Sequence, residues 1–309
     1  EHVADFFKGF LVHSKGERWA GKPFILQSWQ KENVIVPLFG WKRADGSRRF
    51  RSGYVSTPKK NGKSTLYSGL SLYLLCADSE PGAEVYSAAV DRAQASIIFN
   101  EARNMVLSSP SLAARLYPVD SQKRIVYEAT QSFFQALSAD APAKEGLNIH
   151  GLLFDELHAQ RNARLWDTLR YGGAARRQPL QLSITTAGYD RHSICYEQYN
   201  KAKQVLAGTN PDISFFAYIR ETAADADWQS PAVWRRANPS WGVTIDPEEF
   251  KREARDAAES PRKENAFRRY RLNQWTEQAM RWLPMERWDA GDVPIDIEAL
   301  EGRRCFAGL

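Results

Sequence analysis

Cysteine is scarce in this sequence of 309 residues: there are three, Cys76, Cys195 and Cys305, far apart and in no paired spacing. Such usage excludes a disulfide framework and the close thiolate pairs of a zinc site, and it suits a reducing cytoplasm. Long apolar runs are missing as well. No stretch approaches the ~20 consecutive apolar residues of a bilayer-spanning helix, so no membrane role is expected. No secretory pattern opens the chain, and neither an internal repeat nor a low-complexity tract interrupts it.

Apolar residues, by contrast, make up 43% of the chain, ample for a core. The length has room for one large α/β domain and a smaller appendage. A net charge of +5 and a pI near 9.0 favour contact with a polyanion, although many ordinary domains are as basic. Clusters such as Arg48-Arg49-Phe50-Arg51, Arg176-Arg177 and Arg268-Arg269-Tyr270-Arg271 could meet phosphates, and equally could be solvated or paired helix faces.

The most informative segment is Val55-Ser56-Thr57-Pro58-Lys59-Lys60-Asn61-Gly62-Lys63-Ser64-Thr65. A phosphate-cradling loop needs backbone N–H groups aimed at the β- and γ-phosphates, a lysine to neutralise them and a hydroxyl on Mg²⁺. Gly62, Lys63 and Ser64 supply these parts. Thr57 stands where the first glycine of the motif usually falls, and a bare Gly-Lys-Ser-Thr run also arises by accident in loops. The context fits: Phe50 to Ser56 is β-prone, and Ser64 to Cys76 places Leu66, Leu70, Tyr73 and Leu74 at helical spacing.

Nucleotide hydrolysis also needs a carboxylate pair at the end of a buried strand, one for the metal and one for the attacking water. Gly151-Leu152-Leu153-Phe154-Asp155-Glu156 provides it, with a strand ending in two solvated acids as the plainer reading. Pro179 to Gly188 is another apolar strand whose tip, Thr185, Thr186 and Gly188, is either a γ-phosphate sensor or an ordinary Thr- and Gly-rich turn. Upstream, Gln30 could read an adenine edge while Phe24 and Trp29 stack on the base. Core packing serves those aromatics equally well.

Strands near 50–56, 84–89, 124–127, 133–137, 151–154 and 179–185 alternate with helices near 64–76 and 91–107. This pattern argues for a mostly parallel sheet covered on both faces, with ligands at the carboxyl ends of its strands. Residues 30–41 are ambiguous, because Pro37 would kink a helix and Val34-Ile35-Val36 prefers strand. Residues 1–210 are expected to form the core and 211–275 a lid subdomain. The lid contains a strand at Ile213–Ile219, a helix capped by Asp246 with Pro247 and Glu249 following, and a helix from Ser260 to Trp275.

Together, Phe24-Ile25-Leu26-Gln27-Ser28-Trp29-Gln30, Pro58 to Ser64, Gly146-Leu147-Asn148 leading into Phe154 to Ala159, Thr185-Thr186-Ala187-Gly188 and Arg271-Leu272-Asn273-Gln274-Trp275 resemble the ATPase domain of the large terminase subunit of tailed bacteriophages, of the HK97-like type. The resemblance implies an ASCE-type P-loop ATPase that uses ATP and Mg²⁺ to drive double-stranded DNA into a procapsid in the host cytoplasm. It implies as partners a portal protein, a small terminase subunit and further copies of the chain in a ring, a pentamer. It assigns Gln30 to adenine, Lys59 to the early basic position of the loop, and Thr57, Pro58, Lys60, Asn61, Gly62, Ser64 and Thr65 to the nucleotide. It assigns Lys63 and Glu156 to catalysis, Ser64 and Asp155 to the metal, Thr185, Thr186 and Gly188 to coupling, and Lys144 to action across a subunit interface. Arg303 to Leu309 resembles the first strand of the family's nuclease. The expectation is therefore a fragment in which 276–309 is a linker to an absent nuclease, with Asp289, Asp292 and Asp296 as linker acids.

A helicase is the alternative, since Asp155-Glu156-Leu157-His158 also spells the acidic box of that class. That class needs a second lobe with a Gln-x-x-Gly-Arg-x-x-Arg pattern, which the sequence after Thr186 does not contain. A non-catalytic DNA-binding assembly module is a further alternative, opposed by the intact Lys63, Ser64, Asp155 and Glu156. His158 reads as a structural hydrogen-bonder.

Overall fold

The computed structural model describes residues 1–138, 146–160, 162–276 and 302. Short apolar segments form β1 (Ser52–Ser56), β2 (Glu84–Ala89), β3 (Tyr117–Val119), β4 (Arg124–Tyr127), β5 (Ser132–Ser138), β6 (Ile149–Asp155), β7 (Leu180–Thr185) and β8 (Phe215–Ile219). They pair in the order β3-β4-β5-β2-β6-β7-β1-β8. The run from β5 to β8 is parallel, and β3, β4 and β5 form an antiparallel meander at one edge. Every residue of β6 is buried, including the polar His150 and Asp155, as expected of a central parallel strand covered on both faces.

Helices cover both faces: α1 (His2–Phe10), α2 (Val36–Gly40), α3 (Lys63–Cys76), α4 (Arg92–Leu107), α5 (Pro110–Ala113), α6 (Arg164–Leu169) and α7 (Ile194–Leu206). Strand alternation sorts the side chains between them. Val55 and Leu153 point into the core under α1, α3 and α4, whereas Tyr54, Leu152 and Phe154 point toward α6 and α7. Because α3 lies between the sheet and α1, it is buried nearly all round rather than on one stripe. Gly69 makes that possible: a Cβ there would sit 2.5 Å from the Phe7 ring.

Residues 29–40 are helical throughout, which resolves the ambiguity at Pro37. A widened turn over Trp29–Ile35, closed by the Val36 N–H donating to Lys31 O, runs directly into α2. Pro37 is the second residue of α2, directly after this widened turn, so the break in the regular hydrogen-bond ladder falls where proline lacks its N–H. Beyond the sheet, α8 (Pro231–Ala237), α9 (Pro247–Ala257) and α10 (Pro261–Leu272) enclose a separate small core of Trp228, Trp234, Ile245, Phe250, Phe267 and Leu272. Asp246 caps α9 by accepting from the Glu249 N–H at 2.8 Å. The strand expected in this lid, β8, instead pairs with β1, so the core sheet extends past residue 210. The expected linker and nuclease strand at 276–309, with Asp289, Asp292 and Asp296, fall almost wholly outside the described residues, as does Lys144.

At the amino end of β6, the fully buried Arg48 donates to Asp78, whose Oδ2 also lies 2.8 Å from His150 Nε2. Burial would raise the Asp78 pKa, but the hydrogen bond from His150 and the Arg48 charge outweigh it and hold the carboxyl below its usual range. The contribution of Asp78 to stability is therefore complete above the ordinary carboxylate pKa near ~4 and is lost as pH falls through the lower native value. Asp78→Asn, which strands the Arg48 charge, is expected to cost roughly 3–5 kcal/mol in urea unfolding at neutral pH. The deficit relative to wild type should shrink below about pH 4. An unchanged unfolding midpoint would show that Arg48 is compensated by other groups.

Candidate active site

Parallel pairing brings the tips of β1, β7 and β6 to one edge: Ser56 lies opposite Thr185, and Asp155 opposite Ile184. From β1 the chain turns through Thr57 to Gly62 and enters α3 at Lys63. Gly62 adopts φ 79°, the left-handed region that glycine enters without penalty, and Lys60 adopts φ 70°. Lys63 is buried and donates from Nζ to Thr57 O (2.8 Å), Pro58 O (3.0 Å) and Thr186 Oγ1 (3.0 Å). Burial pulls its pKa down to about 8, against the opposing pull of Glu156 and Asp155.

The two acids are adjacent in sequence but differ in environment. Asp155 is 2% exposed, its Oδ2 has no hydrogen-bond partner, and burial followed by the neighbouring Glu156 charge pushes its pKa up to about 7. For Glu156, burial acts upward but is outweighed by the His158 hydrogen bond and the Lys63 charge, which hold the carboxyl down at about 2. Glu156 also sits at φ 47°, an uncommon backbone state for a residue with a side chain, and such strain concentrates at functional sites. His158 Nδ1 lies 3.1 Å from Glu156 Oε2 and 3.0 Å from Thr185 Oγ1, so it acts as the expected hydrogen-bonder.

The β7 tip is thus divided in its contacts. Thr185 holds His158 behind Glu156, while Thr186 meets Lys63 and donates to Thr57 O at 3.3 Å. Gly188 packs closely on Trp275, where a Cβ would stand 3.0 Å from the ring.

Beside the loop, a cleft of about 300 Å³ is lined by Phe24, Gln30, Gly62, Ser64 and Thr65, together with His13, Trp19 and Ile97, which the sequence reading missed. The Gln30 side chain is fixed, its Oε1 accepting from the Gln27 N–H at 2.9 Å. Trp29 requires a correction. Its indole is turned away from the cleft, stacks on Tyr218 and donates to Ser240 Oγ at 3.0 Å, so it packs the core rather than a base. A helix places residues 29 and 30 on different sides, and only Gln30 reaches the cleft. Lys59 has its ammonium 4.0 Å above the Tyr270 ring, and its N–H donates to Tyr270 O at 2.8 Å.

Two further residues escaped the sequence reading, Asn238 and Ser240, and a third, Asn273, appears there only within a resembling segment and is given no role. Asn238, Ser240 and Asn273 are buried and reach the site from the lid. Asn273 takes φ 57° at the end of α10, accepts from the Ala187 N–H (2.7 Å) and donates to Ser56 Oγ (2.9 Å) and Arg220 O (2.8 Å). Polar residues far along the chain carry no periodic signal that would have singled them out.

The donor set fits a magnesium nucleotide. Mg²⁺ keeps several waters and takes one or two protein ligands plus phosphate oxygens. The buried Asp155 oxygen without a partner meets that need, and no larger metal-ligating cluster occurs among the described residues.

Comparison with known proteins agrees with this geometry. A family model for the terminase large subunit ATPase domain matches residues 28–204, and one for the terminase large subunit endonuclease domain matches residues 209–309. The second match overturns the expectation that the nuclease is absent. That expectation rested on the short segment Arg303 to Leu309, whereas the match spans the whole C-terminal region and begins before β8, which is built into the ATPase sheet.

The chain is 27% identical over 316 residues to the large terminase subunit of Enterobacteria phage HK97, with 100% of this chain and 59% of that protein covered. It is 31% identical over 163 residues to protein YmfN of Escherichia coli (strain K12), covering 52% of this chain and 36% of that one. The crystal structure of the HK97 large terminase superposes with a TM-score of 0.77 at 26% identity, over 89% of this chain and 55% of the other. The large terminase of a thermophilic bacteriophage shares the fold, with a TM-score of 0.51 at 12% identity over 79% of this chain and 53% of the other. The chain therefore spans little more than half the length of the HK97 protein. The ordered loop, acidic pair and threonine tip, with a family match over residues 28–204, place this chain in the terminase large subunit family.

Proposed function

We propose that this chain is the ATP-hydrolysing motor region of a viral DNA-packaging terminase, moving double-stranded DNA into a procapsid. The observation that carries the reading is the meeting of Lys63, Thr186, Asp155 and Glu156 at one sheet edge beside the Gln30 cleft. Portal protein, small subunit and a pentameric ring of copies are the partners that membership of the family suggests. The net charge of +5 suits a DNA substrate.

In this reading the base enters the cleft, where the Gln30 amide offers both a donor and an acceptor to the adenine edge. The N–H groups at the start of α3 face the phosphates, and Lys63 exchanges the carbonyls of Thr57 and Pro58 for the β- and γ-phosphates. Ser64 and Asp155 would hold Mg²⁺, which would supply neutralisation of the phosphate charge. Glu156 orients the attacking water. As water oxygen bonds to the γ-phosphorus, the bond to the β-phosphate oxygen breaks, and the water proton passes to Glu156. A carboxylate held low by His158 and Lys63 stays ionised and accepts a hydrogen bond from the water, which aligns it. That matches a loose transition state in which the nucleophile needs alignment more than early deprotonation. His158, anchored on Thr185, keeps the carboxylate in place.

ATPase activity of the chain, measured with and without double-stranded DNA and procapsids, tests the reading: hydrolysis stimulated by both is expected, and none under any condition would overturn it. Lys63→Ala should abolish turnover and weaken nucleotide binding; wild-type turnover would remove the loop from the mechanism. Glu156→Gln should bind ATP with near-normal affinity while losing about 10²–10⁴ in kcat, the range for a positioned acid–base group. Gln30→Ala should narrow the preference for ATP over GTP in competition assays, and an unaltered preference would reduce Gln30 to packing.

A further inference from the structure

Asn61 of the phosphate loop, expected at the nucleotide, instead turns its side chain to Asn238 and Ser240. Asn61 is fully buried, as are Asn238 and Ser240. Asn61 Nδ2 donates to Pro58 O (3.1 Å) and Asn238 Oδ1 (2.9 Å), while Asn61 Oδ1 accepts from the Ser240 N–H (3.0 Å). Asn238 Nδ2 donates onward to Trp234 O and Arg271 O, both at 3.0 Å, the carboxyl ends of α8 and α10. Ser240 Oγ donates to Asn61 O (3.2 Å) and accepts from Trp29 Nε1 (3.0 Å), next in sequence to the cleft residue Gln30. Every amide hydrogen and oxygen of both asparagines is used, so neither amide can flip without leaving buried groups unpaired.

Pro58 O is shared. It accepts from Lys63 Nζ and from Asn61 Nδ2. A lysine that leaves this carbonyl for a phosphate leaves Asn61 as its donor, and the loop then cannot shift without moving Asn238. The two loop residues before Asn61 are held by the same helices and their connections: Thr244 Oγ1 donates to Lys60 O at 2.6 Å, and Arg271 Nη1 to Lys59 O at 3.3 Å.

We propose that Asn61, Asn238 and Ser240 form a clasp of positioning residues that sets the phosphate loop for nucleotide and passes the loop's movement into α8 and α10. The proposal rests on the phosphate-loop reading above. None of the three residues need touch the reacting atoms.

The test compares wild type, Asn238→Ala and Ser240→Ala by ATPγS titration, steady-state ATPase kinetics and hydrogen exchange with and without ATPγS. Asn238→Ala strands the Asn61 amide, and one unpaired buried group is worth about a factor of ten. ATPγS affinity should weaken by about that factor and KM should rise with it, with kcat little changed. In wild type, ATPγS should alter exchange at both 57–66 and 232–243. In Asn238→Ala the response at 57–66 should survive while that at 232–243 disappears. Ser240→Ala keeps the N–H bond to Asn61 and should shift affinity in the same direction by a smaller factor; if Asn238→Ala does not fold, this variant decides alone. A lowered melting temperature with unchanged KM and an intact response at 232–243 would overturn the clasp and leave a structural contact. A wild-type chain that binds no ATPγS would instead overturn the phosphate-loop reading, and the clasp with it.

Discussion

Parallel pairing of β1, β7 and β6 is the constraint from which the nucleotide end of this protein is built. Each strand delivers its carboxyl tip to the same edge, and the register sets Ser56, Thr185 and Asp155 within reach of one another. Because β7 lies between the other two, its threonines face both the loop lysine and the histidine behind the second acid. Insertion of that middle strand joins the loop, the acidic pair and a threonine tip, which touches the loop through Lys63 and the acids' side through His158.

Charge burial then separates the roles of residues that look alike. Asp155 and Glu156 are consecutive carboxylates, yet one is pushed up by desolvation and the other held down by His158 and Lys63. The difference follows from the turn at Glu156, whose left-handed backbone sends its side chain to His158. Lys63 is the shared neighbour of both. While its ammonium lies on the Thr57 and Pro58 carbonyls, the loop supplies the ligands that phosphate would otherwise provide.

The opposite pole of the sheet and the lid are each held by buried polar groups rather than by apolar packing alone. Arg48, Asp78 and His150 fix the start of β6. Asn273 fixes the tips of β1 and β7 to the end of α10. Buried hydrogen bonds of this kind add directionality that hydrophobic contact lacks, since breaking one leaves its partner unsatisfied. The helices α8 to α10 have their own small apolar core and reach the loop through such bonds.

Local signals in the sequence determined much of this. Period-two and period-3.6 patterns marked most strands and the long helices, and the spacing of Gly62, Lys63 and Ser64 before an apolar helix marked the loop. The strand leading into Asp155 and Glu156 marked the acids, and Asp246 with Pro247 and Glu249 marked the start of α9. These features depend on neighbours along the chain, and so the chain spells them. Tertiary structure decided the rest. It turned Trp29 into the core and Gln30 into the cleft, joined β8 to the central sheet, made residues 29–40 helical despite Pro37, and brought Asn238, Ser240 and Asn273 to the loop. None of these outcomes is written locally, because each depends on which long-range partner offers a buried group its hydrogen bond or its apolar contact, and that choice is made only when the sheet and the lid close together.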